Sequence, residues 1–341
     1  MDTIISRKKT GIFTAALFIL IQAVKITVQH FTMVDGLLDG DALTKAQMIS
    51  RLGSIGINVI TLILVVGAGY LLTKDKKKTV MYVGSVYFGM NVTALFTKLV
   101  TEISRSLYSL TVRPYIVSNA VGIINYLLVA VSIFTAYFAF TAMEGINSKF
   151  PSQSADTSVM TVSRARKRYL AAYFISSVIV AAFSIIPAFI FSVLDADGMT
   201  TAGSTFSVVS GLMSWLSMVI TFVIMYYTGY KPAKSHVEAM CFHSAIALQK
   251  PVTSIFAGTL SFILTVISNH YNLEIMSGDM SNAHLYSMLT SVGNGVIFTI
   301  GFALEIALCM YALKLFFTKK AEAPVLYEAA TDTEASVAEE E

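Results

Sequence analysis

The sequence is poor in charged residues, and this scarcity argues against a soluble fold. Only 13% of its 341 residues are Asp, Glu, Lys or Arg, about half of the roughly 25% found in soluble domains. Hydrophobic residues make up 55% of the chain. A water-soluble domain of this composition would precipitate, because too much apolar surface would face water. The composition therefore indicates a membrane protein.

Cysteine and histidine are also scarce. Two cysteines, Cys241 and Cys309, and five histidines are too few and too scattered for a disulfide framework or a metal site. The chain contains no HExxH, GxSxG or Walker A motif. We therefore expect no enzymatic activity, no metal and no other cofactor. The net charge of +3 is small, and its distribution points to a membrane surface rather than a nucleic-acid partner.

Long apolar stretches are what the sequence does contain. A spanning helix needs ~20 mostly apolar residues, because the hydrocarbon core is ~30 Å thick and a helix rises ~1.5 Å per residue. The predicted fold class is an all-α, polytopic membrane helical bundle with about eight transmembrane helices. The eight stretches are residues 11–29, 54–73, 79–100, 119–143, 169–194, 205–230, 252–270 and 289–317.

Basic residues predict the orientation of these helices, since Lys and Arg are retained on the cytoplasmic side. Alternate connections collect seventeen of them on one face: Arg7, Lys8, Lys9, Lys74, Lys76, Lys77, Lys78, Lys149, Arg164, Arg166, Lys167, Arg168, Lys231, Lys234, Lys250, Lys319 and Lys320. The opposite face has four, Lys45, Arg51, Arg105 and Arg113, and an acidic set of Asp35, Asp39, Asp41, Glu102, Asp195, Asp197, Glu274 and Asp279. We expect a multi-pass protein of the cell membrane with both termini cytoplasmic and its basic loops on the anionic inner leaflet.

The longest predicted cytoplasmic connection divides the chain into two membrane halves. Residues 1–143 form the first four-helix half and residues 169–320 the second. Residues 144–168 are predicted to be a flexible basic linker that includes the run SRARKR. Residues 321–341 form an acidic tail that is expected to be disordered, because it has few large apolar residues.

An internal repeat is one interpretation of this four-plus-four arrangement. At an offset of 160 residues the second stretch overlays the sixth, so that Ser54 matches Ser214 and Thr61 matches Thr221. Two halves of four helices each would enter the membrane in the same orientation, as a parallel tandem repeat with a site at their interface. Chance similarity is the alternative, since apolar helices share a small alphabet.

Glu305 is the first candidate for a functional residue, because it interrupts the apolar run GFALEIALCMY. A carboxylate at the bilayer centre costs roughly 2.5 to 3.5 kcal/mol, so it faces the bundle interior, finds a partner or stays protonated. One interpretation is a proton, cation or substrate site with Asn58, Asn125 or Lys25 nearby. The other is a neutral Glu that is hydrogen-bonded between helices.

The other candidates for the substrate or ion pathway are polar residues inside the spans. They are Asn58, Asn91, Asn125, Asn294 and Lys25. Interhelical hydrogen bonds explain most such amides, and a long Lys side chain can reach the membrane interface. Asn294 stands out because Gly293 and Gly295 flank it and could loosen the helix around a polar ligand.

The segment from Lys231 to Pro251 has apolar residues at helical spacing. It predicts a short amphipathic helix on the inner membrane surface, with His236 and His243 facing solvent or headgroups.

Two functions of different classes fit these observations. A transporter or permease-like protein with a site between the halves would explain Glu305 and the amides, and would bind a small-molecule or ion substrate. The alternative is a non-transporting membrane scaffold or accessory subunit of a larger complex, with a membrane protein or a second copy of the chain as partner.

Overall fold

A computed structural model describes residues 7–32, 40–110, 114–149, 162–195, 202–233, 236–276, 281 and 283–317. All regular secondary structure in these ranges is helical. The helices are α1 (Arg7–Thr32), α2 (Gly40–Thr73), α3 (Lys76–Leu110), α4 (Pro114–Lys149), α5 (Val162–Asp195), α6 (Ala202–Ala233), α7 (His236–Ala247), α8 (Gln249–Met276) and α9 (Ala283–Phe317).

Six helical segments are long and apolar enough to cross a membrane. They are Arg7–Thr32, Met48–Thr73, Lys76–Ser104, Ala120–Met143, Phe242–Asn269 and Ala283–Leu315. Large apolar side chains such as Ile63, Phe134 and Phe298 point outward, with about two thirds or more of their surface exposed. Such a surface is compatible with lipid and not with water. The chain is a multi-pass helical membrane protein.

The remaining two predicted spans, residues 169–194 and 205–230, coincide with α5 and α6. In α6 the described apolar segment is the shorter Val209–Met225. Several side chains near the ends of both stretches lie outside the described part of the chain.

Helix pairing follows the same order in both parts of the chain. In the first part α1 packs against α2, α2 against α3, α3 against α4, and α4 returns to α1. In the second part α5 packs against α6, α6 against α7, α8 and α7 against α9, and α9 returns to α5. Across the two parts, α2 packs against α8, α3 against α6 and α7, and α4 against α7.

A proline divides the longest helical segment. α7 and α8 are separated only by Leu248, whose backbone N–H still bonds to the Ser244 carbonyl at 3.1 Å. Pro251 has no N–H to offer the carbonyl of Ala247, four residues earlier, so it weakens the helix where α7 meets α8. The two helices therefore form one segment with a break at Leu248.

The predicted surface position of α7 is wrong. The segment is helical, but Phe242, Ser244 and Ala245 are fully buried and His243 is only 5% exposed. The His243 ring packs against both Phe88 and Phe222, with centroid distances of 5.6 and 5.0 Å. α7 reaches this position because α3 carries Gly84 opposite it, where a Cβ would lie 2.8 Å from the Ser244 carbonyl oxygen. Absence of a side chain at Gly84 permits the close approach.

The predicted linker is only partly as expected. Its ends belong to helices, since α4 continues to Lys149 and the run SRARKR forms the start of α5. The basic run is therefore helical rather than flexible, because it continues into the apolar stretch that follows. Residues 150–161 and the predicted tail, 321–341, lie outside the described residues.

Candidate functional site

Glu305 joins three helices. Its Oε1 accepts a hydrogen bond from Gln249 Nε2 of α8 at 3.0 Å, and its Oε2 accepts one from the Tyr173 hydroxyl of α5 at 3.3 Å. Thr253 Oγ1 donates to Gln249 Oε1 at 3.1 Å, which directs the amide nitrogen of Gln249 toward the carboxyl group. Both carboxyl oxygens thus have neutral donors, which offsets part of the cost of placing the group in a span.

Lys250 lies beside this cluster and not in a cytoplasmic loop, so its predicted position is wrong. It falls inside the apolar segment Phe242–Asn269, and its Nζ donates to Asn91 Oδ1 of α3 at 3.0 Å. Asn91 is 15 residues beyond Lys76, or ~22 Å along the axis of α3. Lys250 also interacts electrostatically with Glu305. Pro251 gives the sequence the appearance of a loop end, although the helix continues through it.

Two basic side chains connect the halves further along the same helices. Arg51 of α2 donates to Thr265 Oγ1 of α8, and Lys98 of α3 donates to Ser214 Oγ of α6 at 2.5 Å. The indole N–H of Trp215 donates to the carbonyl of Leu95 at 3.0 Å, at the same contact of α3 with α6. These contacts link the first four helices to the remainder at the end of α3 opposite Lys76.

Glu102 extends the polar face of α3 by one turn beyond Lys98. The prediction placed it in an outer loop, but it belongs to α3 and is 6% exposed. Its carboxylate lies against Gly211 of α6, at a position that leaves no space for a Cβ. The helix continues past the apolar stretch, so this acidic residue is buried between helices.

Four helices carry polar residues spaced three, four or seven apart, which puts them on one face of each helix. The faces lie where α2 meets α8 and where α3 meets α6, and together we call them the polar interface. It comprises Arg51, Ser54, Asn58 and Thr61 of α2; Asn91, Lys98 and Glu102 of α3; Ser210, Ser214, Ser217 and Thr221 of α6; and Lys250, Ser254, Ser261, Thr265 and Ser268 of α8.

Several side chains of the polar interface are exposed although their helices face other helices. They are Ser54, Ser214, Lys250 and Ser254. In the described part of the chain α3 packs against α7, on one side of the break at Leu248, and does not pack extensively against α8 on the other. The polar side chains that α3 and α8 turn toward each other include the amide of Asn91 and the ammonium group of Lys250.

The predicted candidates occupy different environments. Asn91 meets Lys250, and Asn58 is half-buried within the polar interface. Lys25 is half-buried on α1, and Asn294 is exposed on α9. The Oδ1 of Asn125 is buried without a hydrogen-bond partner among the described residues. The hydrogen bonds of Glu305 go to Tyr173 and Gln249, not to Asn58, Asn125 or Lys25.

A separate basic groove of about 430 Å³ lies at the start of α5. Ser163, Arg164, Lys167, Arg168 and Ala171 line it, so it does not include Glu305. The neighbouring Arg166 anchors this helix end, since its Nη2 and Nε donate to the Met310 carbonyl at 3.1 and 3.3 Å. The basic side chains suit contact with anionic headgroups.

Gln249, Lys250 and Tyr173 are the residues of the site that the sequence interpretation missed. Gln249 and Lys250 precede Pro251 and were assigned to a loop, and Tyr173 lies in an unremarkable apolar stretch. A signal for α8 was present in the sequence: Ser254, Ser261, Thr265 and Ser268 continue the helical face that Lys250 begins.

No family model matches this chain, and comparisons with curated proteins and with solved structures find no similar protein.

Proposed function

We propose that the protein is a transporter or permease-like membrane protein, and that its pathway follows the polar interface between the two four-helix halves. The observation that carries the proposal is the environment of Lys250 on α8. This basic residue is exposed, and its hydrogen-bond partner among the described residues is the neutral amide of Asn91, which lies ~22 Å along α3 from Lys76. A basic group facing lipid at that depth would be costly, whereas a hydrated cleft between helices removes most of the cost.

Glu305 supports the same proposal. A carboxyl group held by Gln249 and Tyr173 and lying near Lys250 suits a relay for a proton or cation, since intramembrane ionisable groups mark such pathways in transporters. A scaffold needs neither an exposed lysine nor a carboxyl group inside its bundle. The substrate in this proposal is a small molecule or ion.

We also propose that the halves are a parallel tandem repeat. The order of helix pairing supports it, because α1 to α4 correspond to α5, α6, α7 with α8, and α9. Contacts between the halves correspond as well. The packing of α2 against α8 matches that of α6 against α3, and the packing of α4 against α7 matches that of α9 against α3. Under this correspondence the contact of Arg51 with Thr265 matches the contact of Gly211 with Glu102. Gly211 follows Arg51 by 160 residues, and Thr265 follows Glu102 by 163 residues. An interface of equivalent helices is where parallel-repeat transporters bind their substrates.

The experiment tests whether water reaches the polar interface. In a background of Cys241→Ser and Cys309→Ala, Ser254→Cys is exposed to a membrane-impermeant, water-soluble thiol reagent in intact vesicles. We expect modification, because Ser254 is exposed and lies one helical turn from Lys250. Ile263→Cys is the matched control on the same helix. Ile263 is 47% exposed on the apolar face, so its thiol should lie in lipid and stay unmodified.

Both variants should react fully once the protein is unfolded in detergent, which shows that the thiols are competent. If the Ser254→Cys protein reacts only after unfolding, the interface holds no aqueous pathway. The protein is then better described as a membrane scaffold or accessory subunit.

A further inference from the structure

We propose that Lys250 and Asn91 form a binding site for the oxyanion, carboxylate or phosphate, of a small solute. The inference rests on the proposed function, because it assigns a substrate class to the same pathway. It follows from the number and type of hydrogen-bond donors that remain available around Lys250.

The ammonium group of Lys250 has unused hydrogen-bond donors. Its ammonium group carries three N–H donors, and the described structure uses one of them on Asn91 Oδ1. Glu305 interacts with Lys250 electrostatically, and its own hydrogen bonds go to Gln249 and Tyr173. Lys250 is exposed, and two of its three N–H donors remain for a ligand because the described residues engage one.

Two neighbouring groups, Asn91 and Ser254, add further donors. Because Asn91 Oδ1 accepts from Lys250, the NH₂ of the same amide remains a donor beside the ammonium group. Ser254, one turn along α8, is exposed and contributes a hydroxyl about 5–6 Å away between Cβ atoms. An ammonium, an amide NH₂ and a hydroxyl within one helical turn of each other suit the acceptor oxygens of a carboxylate or phosphate.

The charges along the approach favour an anion as well. Arg51 and Lys98 lie further along the polar interface and are bonded to hydroxyl groups, so their charges are not cancelled by these partners. Glu102 carries the opposite sign one turn beyond Lys98, and Glu305 lies on the other side of Lys250. The polar interface thus carries three basic groups and two acidic ones, and Lys250 is the basic group that also has the amide of Asn91 beside it.

The test measures the sign of the electrostatic potential beside Lys250. In the Ser254→Cys protein, we compare the modification rates by two thiol reagents of similar size, the anionic sulfonatoethyl and the cationic trimethylammonioethyl methanethiosulfonate. Each rate is divided by the rate for a free thiol in solution. We expect the corrected anionic-to-cationic ratio to exceed one, and Lys250→Gln to lower it about tenfold, since unit charges at this range interact strongly in a partly desolvated cleft.

Two variants serve as controls. Lys250→Arg keeps the charge and should keep the ratio, which separates loss of charge from loss of structure. Lys76→Gln removes an exposed charge at the far end of α3 and should change nothing. Size-exclusion profiles of all variants report folding. If Lys250→Gln does not yield folded protein, the ratios for Ser254→Cys alone and with Lys250→Arg still decide the sign.

The outcomes separate this inference from the proposed function. If the cationic reagent reacts faster, or if Lys250→Gln leaves the ratio unchanged, the oxyanion site is overturned while an aqueous pathway stands. If neither reagent modifies the Ser254→Cys protein before unfolding, both proposals fail. A preference for the anionic reagent that depends on Lys250 supports both.

Discussion

The first four helices and the described helices that follow them treat buried polar groups in different ways. In the first part the core cluster around Tyr82 and Phe140 holds only neutral hydroxyls as polar groups, such as Tyr82 bonded to Thr14 at 3.1 Å, and Ser132 donates to Thr93 at 2.5 Å beside it. The buried carboxyl group of this part, Glu102, lies outside that cluster, against Gly211 of α6. In the second part a carboxyl group, Glu305, lies between α5, α8 and α9. The same order of helix pairing thus holds a closely packed half with an apolar core cluster and a half that keeps an ionisable group between its own helices.

The packed half also has closer backbone contacts. At Gly89 of α3 a Cβ would lie 2.6 Å from the Ser132 carbonyl oxygen and 3.0 Å from the Ala136 nitrogen of α4. Small residues at such contacts let membrane helices pack through van der Waals contacts, which supply much of the association energy in lipid. The close approach of α3 and α4 at Gly89 therefore contributes to the stability of the first half.

The largest effect should come from placing a carboxyl group in the packed half. Ala136 is 1% exposed, so Ala136→Glu combines a buried ionisable group, roughly 2.5–3.5 kcal/mol, with overpacking of about 1–3 kcal/mol. We expect little folded protein by fluorescence-detected size-exclusion chromatography. Ala136→Ser is the matched control and should fold, because its hydroxyl can bond within the helix. Normal yield of Ala136→Glu would mean that the two halves tolerate charge equally.

A smaller loss is expected when one methyl group is added to the contact between α3 and α4. Gly89→Ala meets backbone atoms of α4, which cannot rotate away, so we expect destabilisation by about 1–3 kcal/mol and a lower Tm in detergent. Gly67→Ala on α2 meets no atom within 4 Å and is the control. It should be neutral or stabilising by up to ~1 kcal/mol, because Ala favours a helix. Equal Tm values for the two variants would refute the close contact.

The smallest effect on stability, with the largest effect on function, is expected for Glu305→Gln. The amide keeps the shape of the side chain and can still bond to Tyr173 and Gln249, so Tm should fall by an amount equivalent to less than ~1 kcal/mol. It cannot bind or release a proton, so pH-dependent flux in vesicles loaded with a pH-sensitive dye should be lost. Flux equal to that of the unmodified protein would exclude a proton role for Glu305.

The sequence predicted the presence of helices better than it predicted where each helix ends and which helices pack together. Apolar stretches of spanning length are a local property, which is why the six spans coincide with predicted ones. Glu305 was predicted as a site because a carboxyl group in an apolar run is also a local signal. Its partners Tyr173 and Gln249 come from other helices, and no local pattern specifies which helices meet.

The segment around α7 shows why the remainder was not predicted. Its histidines, Lys250 and Pro251 are residue types that usually lie at a surface or end a helix. The burial of His243 depends on Gly84, more than 150 residues earlier in the chain, which opens α3 to close packing. Tertiary packing of this kind overrides local composition, so Lys250 was assigned to a loop instead of the polar interface.

The position of Trp215 gives the protein its own optical reporter. It is the single tryptophan of the chain, and its indole N–H is bonded to Leu95 where α3 meets α6, next to the pair formed by Lys98 and Ser214. Ultraviolet excitation at the red edge of protein absorption selects this one indole, and its emission shifts to longer wavelengths as water replaces its neighbours. A separation of α3 from α6 that admits water should thus appear as a shift of the fluorescence emission maximum in the unlabelled protein.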